Sequence, residues 1–159
     1  MKVRNVMKKD VKFCPPEATV AEVAKVMAIN DCGIVPIVDA QNRVAGVITD
    51  RDICLEVATK DRLPSRVPVR EIMKRKVFGV GPDEDIHAAL TLMQNRRVRR
   101  LPVLDENGKL CGILSFDDVV ARAERLPGPE VPELSETDTV ETFKAITRKP
   151  ARPRPIVQA

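Results

Sequence analysis

The sequence is poor in aromatic residues: 159 residues include four Phe, no Trp and no Tyr. That removes the stacking platforms on which single-stranded nucleic acid is held. Apolar runs of membrane-spanning length are missing, and the charged start MKVRNVMKKDVKF carries no apolar leader segment. Both absences point to a cytoplasmic protein with no membrane role. The four cysteines (Cys14, Cys32, Cys54 and Cys111) form no CxxC pair, so neither a zinc site nor a redox couple is indicated. The single histidine, His87, has no nucleophile or orienting partner at a suggestive spacing, so catalysis is not expected. What is present is ordinary for a globular chain: 43% apolar residues, 31% charged, and a formal net charge of +4. That mild basic excess suits an anionic small molecule or a nucleic acid, and the length suits one domain or two small subdomains.

The chain repeats itself. Met7 falls on Met73, an offset of 66, and the register then runs without a gap. Pro16 meets Pro82, Met27 meets Met93, Pro36 meets Pro102, Gly46 meets Gly112 and Asp52 meets Asp118. A long unit occurring twice signals two packed subdomains rather than a solenoid. Each unit reads as a short strand (Val11–Cys14, Val77–Val80), a helix, two strands, and a last helix (Thr49–Ala58, Ser115–Arg125). The first helix has Val20, Val23, Ala24 and Met27 on one face, echoed by Ile86, Ala89, Leu90 and Met93. The strand pairs are IVPIV with RVAGVI, and RLPVL with KLCGIL, the latter joined through Asn107-Gly108, a strong hairpin signal. The fold class is α/β (α+β), and so small a sheet needs its second copy for a core. Across the register the cysteines face Val80, Val98, Val120 and Ala45, so they read as small buried hydrophobes.

The expected organisation is repeat 1 over 1–60, a linker over 61–68, repeat 2 over 69–125 and a proline-rich tail over 126–159. In the tail LPGPEVPE reads as a linker and RKPARPRPIVQA as a basic extended end. Capping boxes near Ser135 and the stripe Val140, Phe143 and Ile146 predict one short helix near 136–147.

GVITDRD (46–52) returns as GILSFDD (112–118). Thr49-x-x-Asp52 and Ser115-x-x-Asp118 are competent helix caps, with the acid at the positive end of the dipole. Capping leaves the preceding glycine unexplained. A glycine without Cβ permits close approach of a flat ligand, a hydroxyl at a helix start suits a phosphate, and a carboxylate accepts from two vicinal hydroxyls. Together they describe a nucleoside-phosphate cradle.

With VMKKD and IMKRK opening the units, GIVPIVD and RRLPVLD on the second strands, and GVITDRDI and GILSFDDV closing them, residues 1–125 resemble a tandem pair of CBS domains, the Bateman module of small stand-alone bacterial proteins. The resemblance implies two subdomains related by a pseudo-two-fold axis. It also implies a non-catalytic regulatory module that binds AMP, ADP, ATP or S-adenosylmethionine between the repeats, requires no cofactor or metal, forms a homodimer and signals to a protein partner not identified by sequence. Asp52 and Asp118 then hold the ribose diols, with Thr49 and Ser115 contacting ribose or phosphate. Cys14, Ile34, Pro36, Val80 and Pro102 border adenine, beside Arg100. Arg99 and Arg100 match phosphate-binding positions, and Arg51 serves either site. The register puts Gly33 and Ile34 opposite those two arginines, which favours the Asp118 site for a phosphorylated ligand. Two other functions compete: nucleic-acid binding through RRVRR, KRK and the tail, and a structural adapter with empty sites. Without stacking aromatics the first ranks well below nucleotide sensing.

Overall fold

The computed structural model describes residues 1–123 and 133–148. The expected linker over 126–133 (apart from Glu133) and the basic end beyond Arg148 lie outside them. Repeat 1 contains α1 (Val20–Ile29), β1 (Ile34–Val38), β2 (Val44–Thr49) and α2 (Asp50–Lys60). Repeat 2 contains α3 (Ile86–Arg96), β3 (Arg100–Leu104), β4 (Leu110–Ser115) and α4 (Phe116–Arg122), and α5 (Glu136–Thr147) follows. Mixed helix and strand with two small sheets is the expected class.

Each hairpin is antiparallel and in the same register: Ile34 pairs with Thr49 as Arg100 pairs with Ser115, and Ile37 with Gly46 as Val103 with Gly112. Both turns use a left-handed residue, Asn42 at φ 63° and Gly108 at φ 76°. The two opening strands read from sequence are shorter than expected. Each shrinks to one parallel bridge, Cys14 to Ile37 and Val80 to Val103. A proline pair follows Cys14, and Pro82 lies just beyond Val80; ring nitrogens cannot extend a ladder.

The repeats exchange their openings. The amide of Val3 donates to Glu84 and that of Arg4 to Pro82, whereas Val69 donates to Ala18 and Arg70 to Pro16. Further on, Lys8 makes a reciprocal backbone pair with Ile113 at 2.9 Å each way, and Lys74 does the same with Val47 at 2.8 and 3.0 Å. Val3 and Val6 therefore sit in the core of repeat 2, beside Leu101, Val103 and Leu114. Val69 and Met73 complete the core of repeat 1, beside Val35, Ile37 and Ile48. Val3 and Val69 are both fully buried. Burying such a side chain contributes about 2 kcal/mol, so each opening is anchored in the other repeat's core.

The predicted tail helix is present as α5, capped by Ser135 and Asp138. Of the stripe Val140, Phe143 and Ile146, only Ile146 packs against the core. Val140 and Phe143 are half exposed, while Thr139 and Thr142 are buried. The threonine hydroxyls are satisfied, Thr139 donating to the Glu136 carbonyl at 2.7 Å and Thr142 accepting from Gln94 at 2.8 Å. Short side chains with satisfied polar atoms let α5 approach α3 closely, and Leu134 and Ile146 fill the remaining gap against the core. Phe143 instead stacks on Phe116 of α4, with ring centroids 5.8 Å apart.

The cysteines also divide. Cys14 is buried, and burial, with help from Glu22 and Cys32, pushes its thiol up and away from reactivity. Cys32 and Cys111 are only partly covered, and Cys54 is exposed on α2. The expectation of four buried thiols holds in full for Cys14; Cys32 and Cys111 are partly buried against the cores, and Cys54 is exposed because α2 buries none of its residues.

Candidate functional site

Both aspartate motifs form the corner where a strand turns into a helix. At the first, Thr49 Oγ1 accepts the Asp52 amide at 3.2 Å, and Asp52 Oδ2 accepts the Thr49 amide at 3.1 Å and its hydroxyl at 2.7 Å. At the second, Ser115 Oγ accepts the Asp118 amide at 3.1 Å and donates back to Asp118 Oδ2. Capping is thus real in both corners. It occupies one carboxylate oxygen in each and leaves Oδ1 free to face outward.

That second oxygen meets a lysine from the other repeat. Lys74 Nζ lies 2.7 Å from Asp52 Oδ1, and Lys8 Nζ lies 3.1 Å from Asp118 Oδ1. Burial alone would raise the Asp52 carboxyl, and the bonds from Lys74 and Thr49 outweigh it, holding the group below its ordinary range. The sequence assigned Lys8 no role and placed Lys74 only in the KRK segment of the nucleic-acid alternative. The signal was there: Lys8 and Lys74 follow the two register methionines, inside the quoted openings VMKKD and IMKRK.

The glycines of the motif have a different purpose from the one expected. A Cβ on Gly112 would lie 2.6 Å from the Lys8 carbonyl oxygen, and one on Gly46 would lie 2.8 Å from Met73 Sδ and 3.0 Å from the Lys74 carbonyl. The space given up is filled by the opening segment of the opposite repeat rather than left for a flat ligand.

A cavity of about 360 Å³ opens beside Asp118. Repeat 2 contributes Arg100, Ile113, Ser115 and Asp118 to its wall, and repeat 1 contributes Lys8, Val11, Lys12, Cys32 and Ile34. Of the residues singled out from sequence it gathers Ile34, Arg100, Ser115 and Asp118. Cys14 and Val80 lie in the two cores, their amides donating at 3.1 Å to the carbonyls of Pro36 and Pro102. Arg99 turns to Asp117 at 3.2 Å. Arg51 is exposed in the first turn of α2, its amide bonded to Asp50. Thr49 and Asp52 stand at the other corner, with Lys74. Arg100 occupies the space a side chain at Gly33 would fill: its guanidinium nitrogens lie 3.4 and 3.5 Å from the ideal Cβ, and Asp50 Oδ2 lies 3.0 Å away. Arg96 stacks on Phe78 with 4.5 Å between guanidinium and ring centroid.

The CBS-domain family model matches the chain twice, over residues 3–59 and 69–125. An uncharacterized protein of Methanopyrus kandleri is 36% identical over 118 residues, covering 74% of this chain and 60% of its own length. An uncharacterized 17.7 kDa protein of Acidianus ambivalens is 40% identical over 122 residues, covering 77% of this chain and 72% of its own. Among solved structures, a CBS domain protein from Pyrobaculum aerophilum complexed with AMP has a TM-score of 0.69 and 26% identity, over 75% of this chain and 90% of that one. With two matched units, crossed openings and paired aspartate corners, the chain belongs to the CBS-domain family as a tandem pair.

Proposed function

We propose that this CBS pair is a non-catalytic regulatory module that binds an adenine nucleotide in the cavity beside Asp118. The supporting observation is convergence. One cavity of about 360 Å³ collects the Asp118 carboxylate, the Ser115 hydroxyl, an apolar wall at Ile34 and three cations, Lys8, Lys12 and Arg100, with Asp10, Asp31 and Asp117 also in its wall. That size suits a small ligand. A carboxylate recognises a diol, and ammonium and guanidinium groups recognise phosphate. The AMP complex of the Pyrobaculum aerophilum relative supports the ligand class. The cations come from both repeats, so occupancy ties the repeats together and passes to a partner by a shift in population. The uncovered α2, with Leu55 exposed, is the surface we assign to a homodimer.

Native mass spectrometry of the purified chain reads dimer mass and any retained ligand together. In thermal melting, a nucleotide at about 100 times its Kd stabilises by about 2.7 kcal/mol, a rise on the order of 5–11 °C. AMP, ADP, ATP and S-adenosylmethionine are the ligands to compare. The rise is expected in wild type and lost in Asp118→Ala and Asp118→Asn. A melt that none of the four moves would remove the nucleotide reading.

A further inference from the structure

The two aspartates divide their oxygens alike. Oδ2 is engaged by the hydroxyl residue that starts its own helix, and Oδ1 is held by a lysine that crosses from the other repeat. The carboxylate side chains are only 16% and 18% exposed, whereas Lys74 and Lys8 are 61% and 74% exposed. Each lysine is thus fixed at its backbone, by the pairs to Val47 and Ile113, while its stem lies in water and its ammonium reaches in. An ion pair with one mostly solvated member contributes little net stability and is readily exchanged. Oδ1 is also the carboxylate oxygen left open to a diol by the caps.

We infer that Lys8 and Lys74 are displaceable counter-ions. In the unliganded protein each ammonium holds the carboxylate oxygen that a ribose diol requires; when the diol takes that oxygen, the ammonium moves to the phosphate of the same ligand. The inference rests on the adenine-nucleotide reading above. A nucleoside displaces the lysine and offers it nothing, whereas a nucleotide supplies a new anion. The lysine therefore works against the one and for the other, and it sets a preference for phosphorylated ligands. Lys8 is well placed for this, because it shares the cavity wall with Arg100, while Lys12 there is already paired with Asp10 at 2.8 Å. A four-carbon stem on a fixed backbone allows the swing without moving the strand.

Calorimetric titration of the full chain with adenosine and with AMP tests the exchange. Lys8→Met is expected to weaken AMP about fivefold and to leave adenosine unchanged or tighter. Lys8→Arg, which keeps the charge, should retain the preference for AMP. If Lys8→Met shifts both ligands by one common factor, or shifts neither, the exchange is wrong while nucleotide binding stands. If wild type binds neither ligand, both readings fall together. Lys74→Met applies the same test to the Asp52 corner, and an unchanged ratio there removes that half of the inference.

Discussion

Repeat 1 and repeat 2 share their polar corners and differ in what clothes them. Asp52 and Asp118 each accept from the hydroxyl of the helix-starting residue, with the reciprocal backbone bond of a full capping box at Asp52, and share a crossing lysine and a glycine packed beneath an opening segment. The helices behind those corners have diverged. Nothing in α2 is buried, and Leu55 and Cys54 face outward. The shorter α4 buries Phe116 and Val119, and α5 packs over it and over α3. The lesson concerns which features the doubled architecture demands. The corner and the crossed openings are needed twice, because each completes the other repeat. The outer helical face is free to vary, and here one copy received a third helix while the other stayed bare.

The sharpest way to break the equivalence is at the two glycines. A methyl at Gly112 meets backbone, the Lys8 carbonyl, at 2.6 Å, whereas at Gly46 the nearest atom belongs to a flexible methionine and the carbonyl stands off at 3.0 Å. Gly112→Ala should cost about 3 kcal/mol and Gly46→Ala about 1 kcal/mol in urea denaturation. Equal costs would show that the two openings are seated equally tightly. A smaller effect separates the clothed repeat from the bare one. Thr142→Val keeps the shape but leaves the Gln94 amide without its partner, at about 1 kcal/mol. Hydrogen exchange should then quicken over 136–147 and stay unchanged over α1 and α2. The smallest effect is one of pH. The backbone amide and ring of His87, followed by the N-terminal ammonium, hold the Asp85 carboxyl at about 2, against an ordinary 3.8. A carboxyl lowered in this way stabilises the fold fully above its ordinary value and loses that contribution as pH falls from about 4 through about 2. Asp85→Asn retains the α3 cap yet cannot titrate, so its melting temperature should fall less steeply across that acid window.

Much of the fold was legible because it is repeated. The 66-residue register marked both hairpins, and IVPIV and RLPVL coincide with β1 and β3. The aspartate corners were legible for the same reason, since capping is local chemistry written in four residues. What escaped was non-local. A register equates Lys8 with Lys74 without saying that each crosses to the other copy, so the lysines and the purpose of Gly46 and Gly112 stayed hidden. The register also grouped both arginines with Asp118; Arg100 lines its cavity, and Arg99 pairs with Asp117, which lines the same cavity. The docking face of α5 was not legible in the sequence, because periodicity marks Val140, Phe143 and Ile146 and passes over threonine. Geometry favours the residue that packs closest with its hydroxyl satisfied.

The crossed openings also fix an order of events as the chain is made. Residues 1–8 leave the ribosome before their partners, which are Pro82, Glu84, Ile86 and finally Ile113. Repeat 1 likewise lacks Val69 and Met73 until the linker has emerged. Neither half closes its core on its own schedule, although domains commonly fold one after another as they appear. These segments are thus made well before their partners, and Val3 and Val6 remain in water until most of the second repeat exists.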